Sequence, residues 1–198
     1  MPQSASERLK TRMPLILASA SPRRSELLLE AGYNFEVIAP DVEEAHDESL
    51  SCENLTIENA RRKAIAVARV RPDAVVIGAD TLVYLDHIPI AKPRDMEDAA
   101  GMLRRLSGRS HEVCTGVAIA SAGGAELLTF HVISDVTFKT LTEEVIRDYH
   151  SLIAPLDKAG AYAIQDESAM IIDSVQGSWT NVKGLPMERL AIELELIL

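Results

Sequence analysis

Residues 15–28 read Leu-Ile-Leu-Ala-Ser-Ala-Ser-Pro-Arg-Arg-Ser-Glu-Leu-Leu, and this stretch decides the predicted fold. A short apolar run gives way to small hydroxyl residues and then to a proline. This order predicts a buried strand, a tight loop and a helix with Ser21 as its N-cap and Pro22 at its first position. Gly32 predicts the end of that helix.

The junction between this strand and helix has the features of an anion site. Free backbone N–H groups and the positive end of a helix dipole attract phosphate. Ser19 and Ser21 add hydroxyls. Arg23 and Arg24 add planar cations, each of which can bind two phosphate oxygens in bidentate fashion. Basic residues in a first turn oppose the helix dipole, so the two arginines indicate a bound anion. A solvated arginine pair is the alternative.

The same region imitates a secretory signal, because basic residues precede an apolar run ending in Ala-Ser-Ala. The apolar segment, residues 13–18, is shorter than the hydrophobic part of such signals, and two arginines follow it closely. We therefore expect no export. We expect residues 1–12 to form a disordered leader and residues 13–198 to form a single domain.

The composition is that of a soluble globular protein. The 198 residues are 47% hydrophobic and 25% charged, and no apolar run approaches transmembrane length. The chain has 30 acidic residues and 20 Lys and Arg, so its formal net charge is −10. This negative charge argues against binding to nucleic-acid polymers. Neither Cys52 nor Cys114 has metal-ligand spacing, so we expect reduced thiols and a cytoplasmic location.

Helical and strand patterns alternate along the chain. The predicted helices cover residues 22–30, 54–70, 96–106, 143–150 and 187–198. The predicted strands cover residues 15–18, 35–39, 74–77, 81–85, 88–90, 113–119, 127–138 and 171–172, and residues 155–165 are predicted as loop and strand. Helices among both fully apolar and alternating strands predict an α/β fold with a mixed β-sheet flanked by helices.

Asp80 is the first candidate for chemistry. It follows the apolar strand 74–77 almost at once, so it is expected at the carboxyl edge of the sheet, where α/β proteins bind ligands. The alternative is an aspartate that only forms a turn, which the neighbouring Gly78 would favour.

Two further sets of charges are ambiguous from the residues alone. The acidic loop 41–48 follows a strand, and carboxylates there could hold Mg²⁺, although acidic loops are more often solvated surface. Lys63, in the middle of the helix 54–70, could bind phosphate or remain exposed to solvent.

Seven short blocks, in order and at matching spacing, resemble the Maf family of nucleoside triphosphate pyrophosphatases. They are residues 19–24, 78–81, 92–94, 106–108, 134–138, 156–165 and 184–186. One block would be weak evidence, whereas the ordered set across nearly the whole chain is specific. The resemblance implies two lobes around a central cleft, similar to inosine-triphosphate pyrophosphatases. It also implies hydrolysis of a nucleoside triphosphate to the monophosphate and pyrophosphate with Mg²⁺ or Mn²⁺.

The resemblance also assigns roles by position. Asp80 matches the catalytic acid of the family and is expected as a metal ligand, a base or both. Glu44, and less closely Glu43, matches an acidic residue near the metal. The positions that match substrate-binding and specificity residues are Ser19, Arg23, Arg24, Lys63, Thr81, Lys92 and Gln165. A homodimer is a further expectation from the family.

Gln165 bears on the choice of base. Its amide offers a donor and an acceptor, which suits thymine or uracil, and residues 158–165 resemble the branch that acts on dTTP and UTP. Ala163 and Asp166 stand where that branch usually has glycine, so the preference could be shifted or broadened. Ala91 replaces a common acid, and this change is expected to affect rate more than the choice of base. The alternatives are a pyrophosphatase for modified nucleotides, such as methylated pyrimidine or guanine triphosphates, and a non-catalytic nucleotide-binding regulator of cell division. Asp80 favours catalysis.

Overall fold

The structure, a computed structural model, describes residues 13–47, 49–121 and 123–197. Within these ranges the chain forms seven strands and six α-helices. The strands are β1 (Leu15–Ala18), β2 (Glu36–Val37), β3 (Val75–Leu85), β4 (Ile88–Ile90), β5 (Ser110–Ser121), β6 (Ala125–Phe138) and β7 (Ile172–Gln176). The helices are α1 (Pro22–Glu30), α2 (Cys52–Val70), α3 (Met96–Leu106), α4 (Glu143–Leu152), α5 (Trp179–Lys183) and α6 (Met187–Ile197). The predicted leader, residues 1–12, lies outside the described residues.

The strands form one mixed sheet in the order β2-β1-β3-β5-β6-β7, with β4 paired to β3. β1 pairs with β2 and β3 in parallel, whereas β3 with β4 and β6 with β7 are antiparallel. The expected α/β class with a mixed sheet is therefore confirmed.

The chain divides into two compact units. Among the described residues, the first contains those up to Thr81, Thr115–Val132 and those from Gly184, and the second contains Leu82–Cys114 and Ile133–Lys183. The predicted single domain with a central cleft stays a prediction.

In the first unit, alternate residues of β1 and β3 enter two different cores. Leu17 and Ile77 pack with residues of α1 and α6, whereas Ile16 and Val76 pack with residues of α2. This alternation follows from the two-residue period of a strand. The face of α2 that meets the sheet is built from alanines, namely Ala60, Ala64 and Ala68, all fully buried. Small side chains let the helix backbone approach the strands closely.

Gly78 shows how close this approach is. A Cβ atom at this position would lie 2.3 Å from the carbonyl oxygen of Ala60 in α2. The strand predicted over residues 74–77 is too short, and the alternative of a turn at Gly78 is wrong, because β3 continues unbroken through Gly78 to Leu85. The glycine is required by the overlying helix and not by a bend in the chain.

The continuous strand still leaves Asp80 beyond the end of its neighbour. Gly78 is the register partner of Ala18, the last residue of β1. Asp80 therefore lies two residues past the carboxyl end of β1, as the argument from parallel strands predicted.

The second unit has its own core, to which β4, α3 and α4 contribute. Asp86 and His87 join β3 to β4 with φ values of 54° and 63°, as a two-residue hairpin requires. The helix starts predicted at residues 96 and 143 are confirmed, and the side chains of Asp95 and Thr142 accept the capping hydrogen bonds there.

The strand predicted within residues 155–165 is absent from this described segment, which forms two 3₁₀ turns, Pro155–Asp157 and Ala159–Ala161. Gly160 and Ala161 adopt φ values of 73° and 60°. Such left-handed backbone cannot continue a strand.

Candidate active site

The centre of the candidate site is the buried carboxylate of Asp80, whose residue is 6% exposed. Its Oδ1 atom lies 2.7 Å from Nζ of Lys63, and its Oδ2 atom accepts a hydrogen bond of 3.2 Å from Nδ2 of Asn59. Asn59 and Lys63 are one turn apart on α2, so they share a helix face. The close packing of α2 on β3 brings both onto the same carboxylate.

Glu44 joins this cluster from the acidic loop. Its Oε1 atom lies 2.6 Å from Nζ of Lys63, so Lys63 forms ion pairs with both predicted metal ligands. The side chain of Glu44 is 45% exposed, whereas that of Lys63 is 11% exposed. The structure therefore brings Glu44, Lys63 and Asp80 together, and their predicted roles stay predictions. Glu43 is exposed, and its carbonyl oxygen accepts a hydrogen bond from Arg62.

The donor set fits a divalent cation of the Mg²⁺ type. Two carboxylates already converge on one cationic group, the ammonium of Lys63. Mg²⁺ takes one or two protein carboxylates and fills its other positions with water and phosphate oxygens. Within residues 13–47, 49–121 and 123–197, no group of three or more His, Cys, Asp or Glu side chains could hold a metal ion. A cation held by Glu44 and Asp80 would take its remaining ligands from water and phosphate.

Arg24, in the first turn of α1, is buried among neutral oxygen atoms. It donates from Nε to the carbonyl of Gly184 at 2.8 Å, from Nη1 to Oγ of Ser19 at 3.1 Å and from Nη2 to Oγ1 of Thr81 at 3.0 Å. Burial lowers the pKa of the guanidinium from its ordinary value, and the Asp80 carboxylate opposes that change. The guanidinium of Arg24 therefore brings positive charge to the site, and its three hydrogen bonds fix its orientation.

Thr81 follows Asp80 on β3 and is held by several groups. Besides Arg24, its Oγ1 atom contacts Oγ1 of Thr115 at 2.9 Å and the carbonyl of Gly184 at 3.4 Å. Gly184 has a φ of +116°, which L-residues rarely adopt, and this conformation presents its carbonyl to both side chains. The hydroxyl of Thr81 is thus oriented by neighbours from three parts of the chain.

The strand-to-helix junction differs in one detail from the prediction. Ser21 occupies the N-cap position of α1, but its side chain makes no capping hydrogen bond in the described structure. Its N–H group donates instead to Oγ of Ser19 at 3.2 Å. The hydroxyl of Ser19 therefore holds both the loop, through Ser21, and the side chain of Arg24. Arg23 is half-buried, and its charge contributes to the lowered pKa of Arg24.

Lys92 and Gln165 belong to the second unit, and both are exposed. Gln165 donates from Nε2 to Oδ2 of Asp166 at 3.3 Å. The segment before it is fixed, because the hydroxyl of Tyr149 binds both the N–H and the carbonyl of Ala163, at 3.0 and 3.1 Å. Their participation with the Asp80 cluster in one site stays a prediction.

Sequence reasoning missed two residues, Asn59 and Thr115, which are 2% and 0% exposed. The spacing of Asn59, four residues before Lys63, was an available signal, since i and i+4 share a helix face. Thr115 gave no comparable signal, because it lies in a strand of alternating residues like many structural threonines. None of the helices in the described part of the chain has the length and apolar character needed to cross a membrane.

The chain is similar to proteins of one family along most of its length. The profile of the family described as Maf-like protein matches residues 14–197. A dTTP/UTP pyrophosphatase of Akkermansia muciniphila is 52% identical over 174 residues, which cover 88% of this chain and 91% of that protein. The dTTP/UTP pyrophosphatase of Escherichia coli K12 is 46% identical over 174 residues, 87% of each chain.

Among solved structures, the Ham1 protein of Staphylococcus aureus matches with a TM-score of 0.53 and 14% identity, covering 93% of this chain and 100% of that one. At this identity the match concerns the fold alone, and it supports the mixed α/β architecture. The extent of the profile match and the identity to the two pyrophosphatases lead to the same conclusion: the chain belongs to the Maf-like protein family.

Proposed function

We propose that this protein hydrolyses nucleoside triphosphates to the monophosphate and pyrophosphate, with dTTP and UTP as its main substrates. The observation that carries the proposal is the carboxylate of Asp80, buried at the sheet edge and held by Lys63 and Asn59. A protein that only bound nucleotides would need cationic groups but not this carboxylate. The names of the 52% and 46% identical relatives support the same activity and the same two substrates.

In this reaction the oxygen of a water molecule bonds to the α-phosphorus, and the bond from that phosphorus to the oxygen bridging the α- and β-phosphates breaks. Pyrophosphate leaves with the electron pair of the broken bond. Asp80 accepts the proton of the attacking water and returns it to solvent. Its two hydrogen bonds fix the direction in which its oxygen atoms can accept that proton.

A divalent cation is part of the proposal, with Asp80 and Glu44 as the residues that would hold it. When bound, such a cation neutralises charge that develops on phosphate oxygens. Lys63 contacts both carboxylates, so its ammonium keeps them together. The same ammonium is proposed to take part in binding phosphate.

Arg24 contributes charge and orientation. The protein has a net charge of −10, which repels a polyphosphate, so local cations must reverse the field at the site. A guanidinium has more N–H donors than the three that Arg24 uses on Ser19, Thr81 and Gly184. The remaining donors are available to phosphate oxygens, which a planar cation binds well.

Gln165 is the proposed contact to the base, because its amide can pair with the carbonyl and N–H of thymine or uracil. Its hydrogen bond to Asp166 engages the amide nitrogen and leaves Oε1 as an acceptor. A homodimer and a cytoplasmic location complete the proposal, both from the resemblance and composition described above.

Pyrophosphate release from dTTP, UTP, CTP, GTP, ATP and their methylated analogues, with Mg²⁺ or Mn²⁺, tests the proposal. We expect turnover of dTTP and UTP that is lost in Asp80→Asn while nucleotide binding persists. Preferred turnover of a methylated analogue would move the assignment to modified nucleotides. Binding without any turnover in the wild type would overturn the enzymatic proposal and favour a regulatory role.

A further inference from the structure

We propose that Asn59 is a positioning residue that orients the carboxylate of Asp80 and tethers the loop that carries Glu44. This inference rests on the proposed function, because it concerns the same site. Asn59 lies on α2 and is 2% exposed. Its side chain contacts both β3, at Asp80, and the backbone of the acidic loop, at Ala45.

The hydrogen bonds of Asn59 use both atoms of its amide. Nδ2 donates to Oδ2 of Asp80 at 3.2 Å and to the carbonyl of Ala45 at 3.3 Å, and Oδ1 accepts from the N–H of Ala45 at 2.6 Å. Turning the amide over would place its oxygen against two acceptor oxygens and its nitrogen against a donor. The contacts therefore determine the orientation of the amide.

The two bonds to Ala45 fix the acidic loop next to Glu44. An amide that binds both the N–H and the carbonyl of one residue acts like a neighbouring strand, which restrains the backbone of that residue. Glu44 is largely exposed, yet its carboxylate contacts the buried ammonium of Lys63. The tether at Ala45 keeps Glu44 within reach of that contact, so it holds together the two carboxylates proposed to bind the cation.

The bond to Asp80 adds a second fixed point on its carboxylate. Lys63 binds Oδ1 through a flexible side chain, and an ammonium accepts many approach directions. Asn59 binds the other oxygen through a planar group whose orientation is already determined. With one donor on each oxygen, rotation of the Asp80 carboxylate about its last bond is restricted.

Two substitutions separate these roles. Asn59→Leu removes all three hydrogen bonds while keeping a side chain that branches at Cγ. Asn59→Asp keeps an acceptor for the N–H of Ala45 but places carboxylate oxygens against Asp80 and the carbonyl of Ala45. Asn54 offers a matched control, because it is an exposed asparagine on the same helix. Asn54→Leu and Asn54→Asp make the same chemical changes away from the cluster.

The experiment measures kcat and KM for dTTP, amide hydrogen exchange at Ala45, and Mn²⁺ binding by calorimetry to the protein without nucleotide. We expect both Asn59 variants to lose about 10- to 100-fold in kcat, as is typical when a residue that supports an active group is removed. KM for dTTP should change by less than about threefold, since the hydrogen bonds of Asn59 go to Asp80 and Ala45 within the protein. Both Asn54 variants should behave as the wild type.

The exchange and binding measurements identify the mechanism. In Asn59→Leu we expect exchange at Ala45 to accelerate by about tenfold or more and Mn²⁺ to bind about 10- to 100-fold more weakly. In Asn59→Asp the protection of Ala45 should be largely kept while kcat falls. Asn59→Asp alone carries the test of the Asp80 contact if Asn59→Leu does not fold.

Wild-type kcat in a folded Asn59 variant, or unchanged protection of Ala45 in Asn59→Leu, would overturn this inference. A wild-type protein without pyrophosphatase activity would instead overturn the proposed function. The exchange measurement would still decide whether the tether exists, so the two failures are distinguishable.

Discussion

The Nη2 atom of Arg24 lies 3.0 Å from Oγ1 of Thr81, so the first turn of α1 holds the residue that directly follows Asp80. This contact connects the strand-to-helix junction to β3, the strand that carries Asp80. Arg24 has two more anchors, in Ser19 and Gly184. A flat cation in contact with three oxygens in different directions cannot be replaced by a point charge.

Arg24→Lys should therefore reduce kcat/KM for dTTP by about 100-fold or more. A lysine keeps the charge but cannot bind three separated acceptors, and hydrogen bonds to charged groups each contribute about 1.5–3 kcal/mol. Steady-state kinetics of the variant measure the loss. Arg94→Lys is a suitable control, because the side chain of Arg94 is 84% exposed and lies in the other unit. A loss below about threefold in Arg24→Lys would contradict the positioning argument.

Thr115→Val should lower kcat/KM by about five- to tenfold, a smaller effect. The change keeps the shape of the residue but removes the hydroxyl that contacts Oγ1 of Thr81, which is worth about 1 kcal/mol. Arg24 and Gly184 continue to hold Thr81. Thr140→Val, at an exposed position, serves as the comparison in the same assay. Equal kinetics in both variants would show that Thr115 does not orient Thr81.

The sequence predicted the fold well where local signals and packing agree. The helix Pro22–Glu30 follows from Ser21, Pro22 and Gly32, and its predicted limits are confirmed. The strand end predicted at residue 77 is wrong because Gly78 is required by its contact with α2, some 14 to 18 residues away along the chain. No local pattern distinguishes a glycine needed for a turn from one needed for a close helix contact.

The same limit applies to the site. Asp80, Lys63 and Glu44 were predicted by their chemistry and family positions, and the structure brings them together. Asn59 escaped notice because its importance comes from two contacts with distant segments, at Ala45 and Asp80. Its spacing four residues before Lys63 places both on one helix face, but spacing alone does not show which distant groups that face contacts.

Gly78→Ala tests the close packing of α2 on β3. The added Cβ would lie 2.3 Å from the carbonyl oxygen of Ala60, so the helix must shift and carry Asn59 and Lys63 with it. We expect a loss of about 2–4 kcal/mol in the free energy of unfolding, larger than ordinary overpacking because backbone atoms are involved. Pyrophosphatase activity should fall as well.

Urea denaturation measures this change, and Gly101→Ala is the matched control. Gly101 lies within α3, where an added Cβ would meet nothing within 4 Å. Alanine in place of a helical glycine should raise stability by about 0.5–1 kcal/mol. Similar unfolding curves for the two variants would contradict the role assigned to Gly78.

His111 should make the stability of the protein sensitive to mild acid. Burial lowers its pKa from 6.5 to about 4, and its Nε2 atom contacts the hydroxyl of Tyr162 at 2.8 Å. As the pH falls below 6.5, the unfolded chain binds a proton that the folded protein does not. This difference in proton binding leaves the free energy of unfolding unchanged above pH 6.5. Between pH 6.5 and about pH 4 it lowers that free energy progressively, by about 3 kcal/mol in total.

Denaturation of the wild type and of His111→Gln between pH 7.5 and about 4 measures this difference. Glutamine keeps a polar partner for Tyr162 but does not titrate in this range. The unfolding free energy of the variant should decline less steeply on acidification. Parallel curves for the two proteins would show that His111 is not the source of the acid sensitivity.

Asp166→Gly should change the preference among pyrimidines, because Asp166 holds the amide of Gln165. The bond from Nε2 of Gln165 to Oδ2 of Asp166 biases the amide toward presenting Oε1 as an acceptor. An acceptor suits the N3–H group that uracil and thymine carry and cytosine lacks. Without Asp166 the amide can turn over, so we expect the ratio of kcat/KM for UTP to that for CTP to fall by about three- to tenfold. Asp173→Gly, at another exposed aspartate of the same unit, should leave the ratio unchanged. A constant ratio in Asp166→Gly would mean that Gln165 selects the base without help from its neighbour.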